Sequence, residues 1–416
     1  MDNLKIDLPE AVKFIIGRLE EAGFEGFAVG GCVRDSALGK IPADWDITTS
    51  ARPEKVKELF DKTIDTGIEH GTVTVMIKGQ GYEVTTYRID GEYEDGRHPK
   101  QVEFSDSLRL DLERRDFTIN AMAYSDKTGL IDYYDGLGDL GRCLIKCVGK
   151  PEERFDEDAL RMMRAVRFSA QLGFDIDEAT YSAVCKLAPN IEKISMERVE
   201  VELMKTIMAD EPAKAVLYHD SGLFADILPE ADRALNKKYR EHTVYMLENI
   251  RKDKVLRLAA LFSMTDYRDA EACLKHLRMD NKTKDQVGGI LRYSKQLIEE
   301  REPAVREAIF KQGTEQMAYI FDFLEVECKA REAVTGIPIS ARKRHLALLK
   351  NMFDRIIENG DPTSLKDLKV SGNDLMKYGF KGREIGQMLE KLMYAVMDNP
   401  KINDKDTLLG MLDILK

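Results

Sequence analysis

An α+β chain is predicted, with a small mixed sheet flanked by helices to about residue 145 and an elongated all-helical remainder. Two observations predict it. Runs rich in Val, Thr and Tyr, bounded by glycine, are confined to the first third of the chain. From about residue 150 onward, apolar residues recur three and four apart almost without interruption. Composition agrees: of 416 residues, 43% are hydrophobic and 33% charged, the balance of a globular protein and not of a disordered one.

Taken in order, the segment 8–22 has helical periodicity and stops at Gly23. Phe27-Ala28-Val29 is a short apolar run ending at Gly30-Gly31. The stretches 72–77 and 82–87 suit strands, and Lys78-Gly79-Gln80-Gly81 between them predicts a hairpin. Later breaks fall at Ala188-Pro189-Asn190, Asp210-Glu211-Pro212, Leu228-Pro229, Arg301-Glu302-Pro303 and Gly360-Asp361-Pro362. No apolar run approaches the roughly 20 residues of a membrane span. The first ten residues carry Asp2, Asp7 and Glu10 and lack an apolar leader core. A cytoplasmic enzyme is expected.

The six cysteines are scattered and form no metal-type spacing with the six histidines, so reduced thiols are expected and not a zinc or disulfide framework. Net charge is −11, from 63 basic and 74 acidic residues, which by itself argues against a nucleic-acid partner. Binding depends on where charges sit, so an RNA-binding chain of this balance must gather Lys and Arg on one face.

Three segments carry candidate chemistry. In Phe27-Ala28-Val29-Gly30-Gly31-Cys32-Val33-Arg34-Asp35, an apolar strand runs into two glycines. Glycines there let backbone N–H groups approach a phosphate, and Arg34 would add a charged fork. In Asp44-Trp45-Asp46, the carboxylates share one face of an extended segment. Side by side they repel unless a cation lies between them, and hard oxygen donors at this spacing suit Mg²⁺ holding nucleotide phosphates. A second metal could activate an attacking hydroxyl, and Glu83 could supply a third acid. From Arg154 to Phe168, Asp158, Arg161, Arg164 and Arg167 recur every three residues and predict a stripe winding round one helix. Cytosine and adenine each present an exocyclic amine beside a ring-nitrogen acceptor, and an Asp and an Arg one turn apart can pair with both while rejecting guanine and uracil.

Gly30 to Asp35, the Leu38-Gly39 that follows, and the run from Asp44 to Ala51 resemble the signature of the polymerase β-type nucleotidyltransferase superfamily. More narrowly they resemble the bacterial class II CCA-adding enzymes and their poly(A) polymerase relatives. The resemblance implies that Asp44 and Asp46 bind metal, and that Gly31 and Arg34 contact the nucleotide. Arg114-Arg115-Asp116-Phe117-Thr118-Ile119-Asn120-Ala121 is similar to a second family motif, which gives Arg115 to the triphosphate and Asp116 with Asn120 to the ribose. Their four-residue spacing would place the last two on one helical face. Gly136-Leu137-Gly138-Asp139-Leu140 is similar to a third, hinge-like motif. The 154–168 segment supplies a fourth, implying base recognition by Asp158 and Arg161 with Glu157 in support, and phosphate contacts by Arg164 and Arg167.

By this resemblance the chain has a polymerase β-like catalytic head over 1–145, a neck over 146–210, a body over 211–330 and a tRNA-binding tail over 331–416. It would add C, C and A to tRNA from CTP and ATP with Mg²⁺. The segment 67–75 resembles the CCA-adding branch and lacks the Arg-rich stretch of the polyadenylating one. The segment 90–99 resembles the flexible element whose loss marks CC-only addition. A-only or CC-only transfer, poly(A) synthesis and a non-enzymatic RNA-binding role remain the alternatives, and the oligomeric state, monomer or homodimer, is left open. His242 is expected to be a structural or surface histidine, because Leu258 to Met264 lacks the His-Asp pair of a metal phosphohydrolase. Arg342-Lys343-Arg344-His345, Lys237-Lys238-Tyr239-Arg240 and Lys282-Thr283-Lys284 are candidate phosphate contacts. The run from Ser371 to Leu375, followed by Gly379 and Gly382, resembles a helical hairpin of the tail.

Overall fold

The computed structural model describes residues 4–90 and 102–415. The chain forms two compact units, Met1–Asp232 and Arg233–Lys416. Apart from Asp90, the predicted flexible element at 90–99 lies outside the described residues.

Helix α1 (Glu10–Glu21) buries Val12, Ile15, Ile16 and Leu19, the spacing that sets one helical face against a core. Strands β1 (Gly26–Val29), β2 (Ile47–Thr49), β3 (Thr63–Gly67), β4 (Thr72–Ile77) and β5 (Gln80–Thr86) follow, with the short pair β6 (Arg88–Asp90) and β7 (Val102–Phe104) beside them. Strands β8 (Met122–Ser125) and β9 (Gly129–Asp132) complete a seven-stranded sheet of order β3-β4-β5-β2-β1-β8-β9. It is mixed, since β2 and β5 run parallel and β1 is antiparallel to both its neighbours. The predicted hairpin forms, but its second strand starts at Gln80, paired with Ile77. Lys78 and Gly79 alone make the turn, both with positive φ (50° and 89°), as a tight two-residue hairpin requires.

Helices α2 (Gly31–Ala37), α3 (Pro53–Leu59), α4 (Leu108–Glu113) and α5 (Gly136–Gly141) flank the sheet strands in sequence. One core cluster joins Phe27, Val29, Tyr87, Leu112 and Ala123. Each fully buried large side chain there contributes about 1.5–3 kcal/mol. Beyond it the chain is helical, except for a short parallel pair of β10 (Leu144–Ile145) with β11 (Asp175–Ile176).

The first unit's later part includes α6 (Pro151–Glu157), α7 (Leu160–Leu172), α8 (Glu178–Leu187) and α9 (Met196–Ile207). The single charged helix expected over 154–168 is in fact two. The break falls at Asp158, whose backbone is extended (φ −146°, ψ 103°). Its carboxylate accepts a hydrogen bond from the Leu160 backbone N–H at 3.1 Å, the local bonding by which Asp competes with helix continuation.

The second unit is helical throughout its described residues, with long helices at Thr314–Thr335 and Ser340–Glu358. Towards its end, helices Gly372–Lys377 and Arg383–Asp398 share a core of Leu375, Leu392, Met393 and Val396. Ser371 and Asp374 form a reciprocal cap on the first of them, and Gly379 and Gly382 take positive φ in the connecting turn. This is the hairpin read in the sequence. All six cysteines are free thiols, and no helix among the described residues is long and apolar enough to cross a membrane.

Candidate active site

The first wall of the site is where β1 ends. Gly30 has φ 79°, and a Cβ there would lie 2.9 Å from Nη1 of Arg115. Glycine therefore serves two needs at once, the left-handed backbone and the close approach of a guanidinium. The Gly30 N–H donates to the Met122 carbonyl at 3.1 Å, and the Val29 N–H to that of Asp46 at 3.0 Å. These bonds tie the glycine turn to the Asp44–Asp46 segment on one side and to β8 on the other. Arg34 donates to Asn120 Oδ1 at 2.7 Å and is held by Asp35 at 2.7 Å.

Asp44 and Asp46 lie in the extended approach to β2. The parallel register Ile47↔Val84 brings Glu83 alongside Asp46. Burial raises the Asp46 carboxyl pKa, Arg115 pulls it back and Asp44 adds to the rise, with a net upward shift. Glu83 is raised as well, by burial and then by Asp46 and Asp44. Three carboxylates crowd one another here, which makes the fully ionised state costly without a cation.

Among the described residues no three His, Cys, Asp or Glu side chains form a protein-only metal cage. A pair of neighbouring hard donors still suits Mg²⁺, which usually takes one or two carboxylates and completes its shell with phosphate oxygens and water.

Asp116 is buried and accepts from Asn120 Nδ2 at 3.1 Å, from the Phe117 N–H at 2.9 Å and from Arg164 Nε at 2.7 Å. Burial opposes its ionisation, but Arg164 and the Asn120 bond outweigh it and hold the carboxyl well below the usual range. The shared helical face expected for Asp116 and Asn120 is absent. Phe117 is extended (φ −126°, ψ 149°) and only a single 3₁₀ turn, Thr118–Asn120, follows, so the two meet by the hydrogen bond itself. The Gly136–Leu140 motif supports that turn: a Cβ on Gly136 would fall 2.3 Å from the Thr118 carbonyl oxygen. Thr118 Oγ1 donates to buried Asp139 at 2.7 Å.

Opposite lie α6, α7 and α9. The guanidiniums of Arg34, Arg164 and Arg167 stand 5.2, 5.4 and 4.1 Å from the centre of the Phe168 ring, within cation–π range. Beneath them is buried Glu202, 3.1 Å from Arg167 Nε and 4.0 Å from Arg164 Nη1. Burial and the neighbouring Arg164 lower the Arg167 pKa.

These walls enclose a cavity of about 520 Å³. Gly30, Gly31, Arg34, Asp46 and Arg115 line one part of it, and Asp116, Asn120, Asp158, Arg161, Arg164 and Arg167 another. Asp44 and Glu83 are not part of the lining, though both act electrostatically with Asp46. The cavity also exposes Arg114, Phe168, Gln171 and Arg198, which sequence reasoning missed. It missed wholly buried Asp111 too, which accepts from Arg114 at 2.8 Å, Arg115 at 3.4 Å and Thr48 at 3.1 Å. Asp111 had a signal, since it precedes the two arginines by three and four residues. Arg198 had none, because only the packing of α9 on α7 brings it to the cavity.

The second unit treats its charges differently. Arg342 pairs with Glu327 at 3.3 Å, Lys343 with Glu332, His345 with Glu300 at 2.8 Å and Lys282 with Glu315 at 3.9 Å. Lys238 rests on the Tyr239 ring at 4.8 Å. His242 is buried, not on the surface, with Nδ1 3.3 Å from Ser263 Oγ and its pKa lowered by burial.

Comparison with known proteins agrees with this geometry. Residues 26–146 match the family described as "Poly A polymerase head domain", and 173–235 match "Probable RNA and SrmB- binding site of polymerase A". Residues 251–412 match a tRNA nucleotidyltransferase domain 2 family. A CCA-adding enzyme of Leuconostoc mesenteroides is 37% identical over 95% of this chain and 93% of its own. One from Geobacillus kaustophilus is 38% identical over 96% and 95%. The crystal structure of the Bacillus stearothermophilus CCA-adding enzyme in complex with CTP superposes with a TM-score of 0.78 at 32% identity, covering 97% of this chain and 96% of that one. With a mixed-sheet head carrying the paired aspartates, an arginine-lined cavity between head and helices, and relatives of this identity along nearly the whole length, the chain belongs to the CCA-adding enzyme family.

Proposed function

We propose that this chain builds or repairs the 3′ end of tRNA in the cytoplasm, adding C, C and A in turn from CTP and ATP without a nucleic-acid template. One observation carries the reading: Asp46, four arginines and the Asp158–Arg161 pair line a single cavity. A nucleotide's three parts, metal-bound phosphates, sugar and base edge, each meet side chains of matching chemistry there.

In this reading Asp44 and Asp46 hold Mg²⁺, with Glu83 adding to the negative charge. The metal supplies charge neutralisation at the attacking and departing oxygens. Arg34, Arg115, Arg164 and Arg167 grip the triphosphate, while Asp116 and Asn120 address the ribose. The oxygen of the tRNA 3′-hydroxyl bonds to the α-phosphorus, and the bond to the β-phosphate oxygen breaks and releases pyrophosphate. The hydroxyl proton passes to solvent. Asp158 accepts from the exocyclic amine of C or A, and Arg161 donates to the ring nitrogen beside it. Neck residues thus replace a template, and the tail helices carry the tRNA.

Sequencing the products formed on a tRNA that lacks its CCA, with Mg²⁺ and all four nucleotides, tests this directly. The expected product ends in CCA and stops. A tail of A alone, a product ending in CC, or no extension would overturn it.

A further inference from the structure

Most hydrogen-bond sites of Asp158 and Arg161 are already filled by protein partners. A carboxylate offers about four lone-pair sites. On Asp158, Oδ1 accepts from the Leu160 N–H at 3.1 Å and from Arg198 Nη1 at 3.3 Å. Oδ2 accepts from Arg198 Nη2 at 2.7 Å. Three sites are filled, and one remains on Oδ2.

Arg161 is limited in the same way. A guanidinium has five N–H groups. Both on Nη1 are used, by the Arg154 carbonyl at 3.2 Å and by Glu157, and one on Nη2 goes to the Arg114 carbonyl at 2.9 Å. Nε–H and one Nη2–H stay open. The pair therefore shows the cavity one acceptor beside a donor, the complement of the cytosine or adenine edge.

We infer that Arg198, on the neighbouring helix α9, is a specificity-determining positioning residue: its two-pronged grip on Asp158 closes the lone pairs that would otherwise let Asp158 accept from the ring N–H of uracil or guanine. This rests on the function proposed above. Freed from the fork, Asp158 regains two acceptor sites and the freedom to turn, so it can meet either base pattern. Glu202, four residues on from Arg198 and hence on the same face, stands under Arg164 and Arg167 at 4.0 and 3.1 Å. One face of α9 thus presents a base to the acid at the α6–α7 break and an acid to the arginines of α7.

The test compares wild type, Arg198→Gln, Arg198→Lys and Glu202→Gln on tRNA lacking its CCA. It measures kcat/KM for CTP, for UTP and for a CTP analogue without the 4-amino group, alongside a thermal melt of each protein. Arg198→Gln is expected to lose at least about tenfold of the CTP preference over UTP and to keep that over the analogue, which has no ring N–H to offer, with Arg198→Lys intermediate because an ammonium cannot fork. Glu202→Gln is expected to raise KM for CTP and leave the preference unchanged. A folded Arg198→Gln protein as selective as wild type would refute the role. So would an equal loss of selectivity in Glu202→Gln, which would mean that α9 merely packs. Should Arg198→Gln fail to fold, unchanged selectivity in Arg198→Lys overturns it instead. Wild type that does not prefer CTP to UTP would bring down the proposed function itself, a result distinct from either.

Discussion

Arginines in the cavity and basic residues in the second unit are held by acids in different ways. Around Phe168, three guanidiniums share one ring, and the acids that restrain two of them, Arg164 and Arg167, are the buried Asp116 and Glu202. In the second unit, Lys343 and His345 each meet a separate, partly exposed glutamate. Acids placed beneath a cation fix it while part of its fork still lines the cavity, whereas partly exposed pairs satisfy each other in place and are screened by water. Charge count alone does not distinguish the two. Burial does.

The contrast predicts effects of very different size. Asp46→Ala should lower nucleotide transfer at least about a thousandfold, because several kcal/mol of transition-state charge stabilisation go with the metal. Single-turnover transfer of CTP to tRNA measures it, and turnover within tenfold of wild type would remove Asp46 from the chemistry.

Asp116→Asn should cost about 1.5–3 kcal/mol of folding stability by urea unfolding, since partly exposed Arg164 loses its nearest counter-charge. It should also change the acid response. The folded-state pKa of Asp116 lies below its unfolded value, so its contribution is complete above about pH 4 and is lost as pH falls from there towards the folded pKa. The asparagine variant should therefore lose less stability than wild type over that acid range. Parallel curves would place the acid-sensitive charge elsewhere. At the small end, Lys329→Ala removes an exposed pair with Glu325 at 3.3 Å and should change stability by no more than about 0.5 kcal/mol.

Much of the site was legible in the sequence because it is written locally. Gly30-Gly31, Asp44-Trp45-Asp46 and the β4–β5 turn depend on neighbours a few residues away, and backbone geometry there follows from glycine and from strand alternation. Asp111, ahead of Arg114 and Arg115, could have been read on the same grounds.

What only the tertiary structure decided concerns groups brought together across long sequence separations. The grip of Arg198 on Asp158, forty residues away, and Glu202 beneath Arg164 and Arg167 both arise where α7 packs on α9. Residue order determined which charges the chain carries and which short elements present them. Packing determined which of those charges lose water, and a charge without water must find a partner; those partners decide how many hydrogen-bond sites are left for a nucleotide.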